Sequence, residues 1–449
     1  MKYIDFKNCV IKAAEAKGLA DYELYYTESE DISAGTLMHE LQEYSSSVAA
    51  GVCLRCIYQD KMGYASTELF TEEEAERLVE AAMENAAVIE SEDKVFLHEA
   101  GDDYEAVEVV KTKEPTGAEL IDAALALLEK LHEKDARVID GSQTMASFGR
   151  MRVALFNSKG LDLDHEIDCS QLGAVAVVKE NEEMYNSFCV KTDDFTRLDA
   201  DEIAAKVVED AIAQIGKESV DSGVYNIVLS NKMTALMLQV FFSVFSAEQA
   251  QRGLSLLAGK EGGQIASEAV TIVDDPFCKD TFIRMPFDGE GVATHRKNVV
   301  ENGRLCTLLH NLSTAYKAGV ASTGNGRKAG YAAPVSVLPY NFYLEKGGAG
   351  SCEDIFKAVE NGIYVTALNG THAGADGVTG DFSLAAEGFL IAEGEKRHVV
   401  KNFTISGNFY ELLQKIVLVG DDLEFSMPNG GCCFGAPTVM IRDISVAGK

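Results

Sequence analysis

No two of the eight histidines in this 449-residue chain lie three to five positions apart, so no single helical turn can present an imidazole pair to a metal ion. They stand at His39, His98, His132, His165, His295, His310, His372 and His398. Four begin a His-Glu dipeptide, but none has the second histidine that a zincin helix requires. No G-x-S-x-G elbow is present, and "GNGRKAG" has the spacing of neither a dinucleotide fingerprint nor a P-loop. No apolar run reaches the roughly 18 residues that cross a bilayer, so no membrane association is expected. The opening "MKYIDFKNCVIKAAEAKG" is amphipathic and lacks a signal-peptide apolar region. Ten cysteines without framework spacing then argue for reduced thiols and a cytoplasmic location. The lone C-x-x-C, Cys53 and Cys56, sits in a strand pattern that would point its thiols to opposite faces. Positive charge is also scarce, at 40 Lys+Arg against 71 Asp+Glu, which argues against binding nucleic acid through its phosphates.

The acidic excess is uneven. Residues 1–220 carry 21 basic against 47 acidic side chains, and residues 221–449 carry 19 against 24. This predicts two domains, 1–220 and 221–449, with a boundary near Gly216–Gly223. In the first, helices are expected at Phe6–Lys17, in "EEEAERLVEAAMENAAVIE" behind a Thr71/Glu74 capping box, in "GAELIDAALALLEKLHEK" and in "DADEIAAKVVEDAIAQIG". Strands are expected in "YELYYTE", in a hairpin "GVCLRCIYQDKMGYAST" turning at Gln59–Met62, and in "ARVIDGSQT", "MRVALFNS" and "LGAVAVVKE". In the second, the strand "NIVLS" feeds a helix over residues 237–253, and Asn302-Gly303 closes a type I′ hairpin. The expected class is α+β, with a mixed helix/strand N-terminal domain and a largely antiparallel, β-rich C-terminal domain.

Two features invite chemistry. The loop "STGNGRKAG" (322–330) offers backbone N–H groups and one guanidinium, Arg327, suited to a carboxylate or a peptide backbone. Cys432-Cys433 lies in a glycine-rich turn, where small core residues are the plainer reading. A metal set such as His372, Asp376 and Cys433 has no spacing to support it.

Five ordered blocks carry a resemblance: "GKEGGQIASEAVTIVDDP", "PFDGEGVATHRKNVVENGRL", "STGNGRKAGYAAP", "VTGDFSLAAEGFLIAEGE" and "VGDDLEF". With "DYELYYTE", "GVCLRCIYQDKMGYAST" and "FNSKG" in the first half, the chain resembles the TldD/PmbA (TldD/TldE) metallopeptidase family, described also as modulators of DNA gyrase. TldD-like members carry His-Glu-x-x-x-His and a C-terminal cysteine that together hold zinc. The resemblance places those positions on Leu238, Gln239 and Ser243, which identifies the TldE/PmbA-like branch without the motif. Leucine offers no lone pair to zinc, and glutamine is no general base. The resemblance therefore implies a non-catalytic subunit with no cofactor of its own, in a cytosolic complex that processes peptides and unfolded segments. Its zinc is expected on a TldD-like partner, and pairing is as a heterodimer or a homodimer. Cys432 or Cys433 would be a vestigial ligand. Thr323, Gly324, Asn325, Gly326, Arg327 and His372 are the candidate substrate contacts. A second reading stays open: a regulatory binding protein with no peptidase role, acting on gyrase or a toxin–antitoxin pair.

Overall fold

The computed structural model of the chain describes residues 1–107, 112–216 and 218–449. The boundary expected at Gly216–Gly223 includes Lys217, which lies outside the described residues. Strand outweighs helix, 40% to 25%, and the class is α+β.

The first half is built on one long antiparallel sheet. Its elements run α1 (Tyr3–Ala16), β1 (Asp21–Leu37), β2 (Glu40–Tyr58), β3 (Lys61–Thr67), α2 (Glu72–Ala87), α3 (Gly117–Lys134), β4 (Gln143–Asn157), β5 (Asp162–Glu180), β6 (Glu183–Asp193) and α4 (Ala200–Ile212). The spatial order is β3-β2-β1-β4-β5-β6. Strand alternation divides the sheet cleanly. Even-numbered residues point to one face, where Tyr22, Leu24, Val52, Leu54 and Ala154 pack under α1 and α2. Farther along the same face, Ala34, Ala146, Phe148, Leu172 and Ala174 pack under α3 and α4. Odd-numbered residues Tyr25, Val153 and Leu155 point the other way, into a cluster shared with Ile283, Phe287, Tyr340 and Cys433 of the second half. Cys53 and Cys56 accordingly face opposite sides, Cys56 under the helices.

Several local expectations need correcting. β1 runs for 17 residues, well past "YELYYTE". "ARVIDGSQT" and "MRVALFNS" are not two strands: Gln143–Asn157 is one strand, and Val138 makes only an isolated bridge to Val178. The β2–β3 hairpin turns on Gln59 and Asp60, both at positive φ. Thr71 caps α2 by accepting from the Glu74 N–H, but only half of the box forms. The Glu74 carboxylate instead accepts from the Thr67 hydroxyl and from Arg77. The complete box is at Thr116 and Glu119, opening α3.

The second half begins with β7 (Gly223–Leu229), α5 (Asn231–Phe241), α6 (Ala247–Gln251), β8 (Ile272–Asp274), β9 (Lys297–Glu301) and β10 (Arg304–Leu305). There follow α7 (Leu312–Ala318), β11 (Gly326–Arg327), β12 (Ser336–Val337), β13 (Asn341–Leu344), α8 (Cys352–Val359), β14 (Gly362–Asn369) and α9 (Thr371–Gly374). The chain ends with β15 (Asp381–Ala392), β16 (Glu395–Asn408), α10 (Phe409–Lys415), β17 (Ile416–Val419), β18 (Glu424–Phe425), β19 (Cys433–Ala436) and β20 (Val439–Ala447). One sheet is ordered β16-β15-β14-β7-β20-β17, and a further β16–β20 pairing closes five of its strands into a ring. The other is ordered β10-β9-β8-β13-β19-β18. Among the described strands only β7–β14 and β13–β19 pair in parallel. Asn302 and Gly303 form the expected turn, both at positive φ. Among the described residues no helix is long and apolar enough to cross a membrane.

The helix expected over residues 237–253 is broken. α5 stops at Phe241, a 3-10 turn spans Phe242–Phe245, and Ser246 is extended and bridged to Leu309 before α6 starts. The run Phe-Phe-Ser-Val-Phe has apolar groups on too many sides for one helical face. The tighter turn lets Phe241 stack on Phe409, Phe242 meet Phe434 and Phe245 meet Phe342.

Candidate functional site

The positions where the resemblance places a catalytic motif straddle the end of α5. Leu238 is 4% exposed within the main apolar core, Gln239 is half-buried, and Ser243 lies in the 3-10 turn facing Gly377. The break at Phe241 leaves positions 238 and 243 on different local helices. Cys432 belongs to the same apolar cluster as Leu238, but its thiol donates to the Pro339 carbonyl at 3.1 Å. Burial holds that thiol above its ordinary pKa, the neutral form that disfavours ligation. Cys433 is buried instead in the cluster between the two halves, where burial pushes its pKa up to about 12. These side chains do not fit a zinc ion.

The loop 322–330 differs from its sequence reading. It is no open surface: Thr323, Gly324, Asn325 and Gly326 are all buried. Asn325 donates to the Asp274 carboxylate (2.7 Å) and the Leu338 carbonyl (3.0 Å), while its own oxygen accepts from the Thr323 hydroxyl. Asp274, itself fully buried, also accepts from Lys297 and from the Tyr340 N–H. Arg327 donates to the Pro339 carbonyl (2.8 Å) and the Gly431 carbonyl (2.9 Å), and its guanidinium lies 4.1 Å from the centre of the Tyr340 ring. The two glycine-rich features of the sequence thus meet. Gly431 has positive φ, and a Cβ there would come within 2.7 Å of Arg327. His372, on α9, is exposed, and among the described residues no hydrogen bond or ion pair joins it to residues 323–327. Nor does it gather with Asp376 and Cys433 into a metal-binding group.

Arg327→Ala is therefore expected to lower stability by about 2–4 kcal/mol, because it strands two carbonyls and empties the space over Tyr340. Urea unfolding followed by far-ultraviolet circular dichroism measures this. A change below about 1 kcal/mol would return Arg327 to the class of exposed loop charges.

Continuing from this loop, the chain clamps onto the odd face of the first sheet. Lys328 lies over the Tyr25 ring at 4.8 Å, and Tyr331 packs on Gly51 and donates to Glu68. Beside them is a buried ionic cluster. Arg55 of β2 donates to Glu23 of β1 (2.6 Å) and to Glu290 (3.3 Å). Glu290 accepts from the Leu312 N–H, and the neighbouring Asp288 accepts from the N–H groups of Glu290, Val292 and Gly326. Burial and the Glu290 carboxylate push the Asp288 pKa well above the usual carboxylate range, against those three donors. Gly291 has positive φ and sits where a Cβ would meet Leu161 of the first half at 2.5 Å. Sequence reasoning passed over Glu23, Arg55, Asp288 and Glu290. The available signal was "PFDGEG", two carboxylates among glycines, together with an arginine inside the apolar strand "VCLRCIY".

A cavity of about 490 Å³ is lined by Arg150, His165, Asp168, Arg197, Asp280 and Arg284 among others. Charges of both signs face it, and His165 hydrogen-bonds the Arg284 carbonyl at 2.6 Å.

Three family profiles match the chain: PmbA/TldA metallopeptidase domain 1 over residues 22–86, the central domain over 111–215 and the C-terminal domain over 222–448. The first two fall within the single expected domain 1–220, and the structure merges their strands into one sheet. A metalloprotease of Methanothermobacter thermautotrophicus is 30% identical, over 94% of this chain and 96% of its own. A proposed modulator of a DNA gyrase from Thermotoga maritima has a solved structure with a TM-score of 0.90 and 31% identity, covering 99% of this chain and 100% of that one. TldE from Thermococcus kodakarensis shares the fold, with a TM-score of 0.90 at 24% identity over 98% and 99% of the two chains.

Proposed function

This chain belongs to the PmbA/TldA metallopeptidase family, and from that premise we propose that it is a non-catalytic, TldE/PmbA-like subunit of a two-chain zinc metallopeptidase acting on peptides in the cytoplasm. One observation carries the reading. The positions where the resemblance expects the ligands and the base carry Leu238, Gln239 and Ser243, and α5, which would have to align them, ends at Phe241. The zinc, on this reading, is held by a TldD-like partner, whose water it would activate. The chain's own contribution is to bind and align. The stretch of β2 from Glu40 to Gly51 supports this, because β3 pairs only with Val52–Tyr58 and no other strand among the described residues covers that edge. A row of free main-chain donors and acceptors suits an extended peptide of any sequence. Pairing is proposed through residues 221–449, whose smaller net charge lets two related chains approach with less repulsion.

The test is reconstitution. The pure chain is expected to hydrolyse no peptide, with or without added zinc. Mixed with a TldD-like chain, it should form a complex whose turnover is abolished by chelators. Turnover by the lone chain overturns the proposal. Failure of the two chains to associate overturns it too, in favour of a regulatory binding protein.

A further inference from the structure

Among the described residues one group of three potential metal ligands comes together: His39, His132 and Asp140. We propose that these side chains form a binding site for a divalent transition-metal ion of the zinc or copper type.

Three separate pieces of chain build the cluster. His39 is the second residue of the two-residue turn between β1 and β2, at φ +64°. His132 lies in the last turn of α3, and Asp140 lies in the connection from α3 to β4. One ligand atom from each falls within 4.8 Å of the others. His39 Nε2 is already 3.1 Å from Asp140 Oδ1, and the two imidazole rings stand 4.5 Å apart between centroids. Bonds of about 2.0–2.2 Å in a tetrahedral site put ligand atoms about 3.3 Å apart. One edge of the triangle already has that length. The side chains of His39 and Asp140 are 54% and 73% exposed, so closing the others moves atoms through solvent and not through packed core.

The donor set also fits. Two neutral imidazoles with one carboxylate suit zinc, copper, nickel or ferrous ions, and three protein ligands leave a position open to water. His132 hydrogen-bonds the Val138 backbone, as metal-bound histidines commonly use their second ring nitrogen. The end of a helix and a half-chain carrying 47 acidic against 21 basic residues both favour a cation there. A bound ion would staple the tip of the β1–β2 hairpin to the end of α3, above the core of Leu127, Leu128 and Leu131.

The full-length chain, stripped with chelator, is titrated calorimetrically with zinc chloride. The expected result is a site of one ion per chain. His132→Ala or Asp140→Asn should weaken it by at least about 10–100-fold, the loss that removal of even an outer-shell partner causes. With Cu²⁺ the electron paramagnetic resonance spectrum should show coupling to two imidazole nitrogens, reduced to one in His39→Ala. His39 and Asp140 are exposed, so their variants keep the fold. All variants keep the ten cysteines, so binding by thiols would appear as a signal that no substitution changes. Equal affinity in the parent and all variants, or a copper spectrum without nitrogen coupling, overturns the site. Metal held here by a chain with no peptidase activity leaves the non-catalytic reading intact.

Discussion

Replacing Arg55 with alanine is expected to cost about 3–5 kcal/mol, because it leaves buried carboxylates without their counter-charge. The Arg55 side chain is 4% exposed, and its partners Glu23 and Glu290 are 1% and 7% exposed. Burial pulls the guanidinium pKa down, but the two carboxylates outweigh it and hold the pKa above its ordinary value. Removing the cation leaves the buried Glu23 and Glu290 facing each other, with Asp288 close by, where solvent screening is weak. Unfolding by urea measures the loss, with circular dichroism as the probe since the chain has no tryptophan. The clamp joins the two halves, so limited proteolysis should also cut the variant between them sooner than the parent. Lys357→Ala, at an exposed ion pair with Asp354, is the control and should cost less than about 1 kcal/mol. Equal effects of the two substitutions would show that the buried cluster is not what fastens the halves.

Rebuilding the missing motif should fail in a particular way. The triple variant Leu238→His, Gln239→Glu, Ser243→His is expected to lose about 3–5 kcal/mol of stability and to gain no peptidase activity. Leu238 packs among Met237, Phe409, Leu412 and Leu413, beside an apolar void of only about 20 Å³. An imidazole placed there would meet apolar side chains and the Thr234 hydroxyl, which already donates to the Ser230 carbonyl. Position 243 lies beyond the end of α5, so the second imidazole would project from a 3-10 turn with different periodicity. Thermal unfolding and a peptide-release assay on the zinc-loaded variant decide the matter. Measurable chelator-sensitive turnover, at unchanged stability, would show that α5 can still serve as a catalytic helix.

Elements specified by neighbouring residues were legible in the sequence. α3 occupies the stretch "GAELIDAALALLEKLHEK", whose apolar stripe of Leu120, Ala124, Leu127, Leu128 and Leu131 lies within the element itself. The Asn302-Gly303 hairpin is equally local. What was not legible depends on partners far away. The pairing of β1 with β4 joins Glu23 to Asn157, and no residue between them announces it. Arg327 reads as a loop charge because its acceptors are main-chain carbonyls at Pro339 and Gly431, groups every residue has. The break after Phe241 escaped because an apolar run fits an α-helix and a 3-10 turn alike. The His39, His132 and Asp140 cluster escaped because spacing rules see only ligands on one element.

The single sheet of the first half also governs the order in which the chain can fold. β1 is central, held by β2 on one side and by β4 on the other. β2 and β3 emerge directly after it and can zip into a meander. The other edge of β1 must wait until residues 143–157 have been synthesised. During that interval a 17-residue strand exposes unpaired backbone, with Tyr22, Leu24 and Tyr26 on one side and Tyr25 on the other. Contacts of such long sequence separation form slowly, and open strand edges invite pairing with other molecules. A ribosome pausing between residues 90 and 140 would therefore expose this chain at its most vulnerable, and a trigger-type holdase acting on that window should raise the yield of folded protein more than one acting after residue 220.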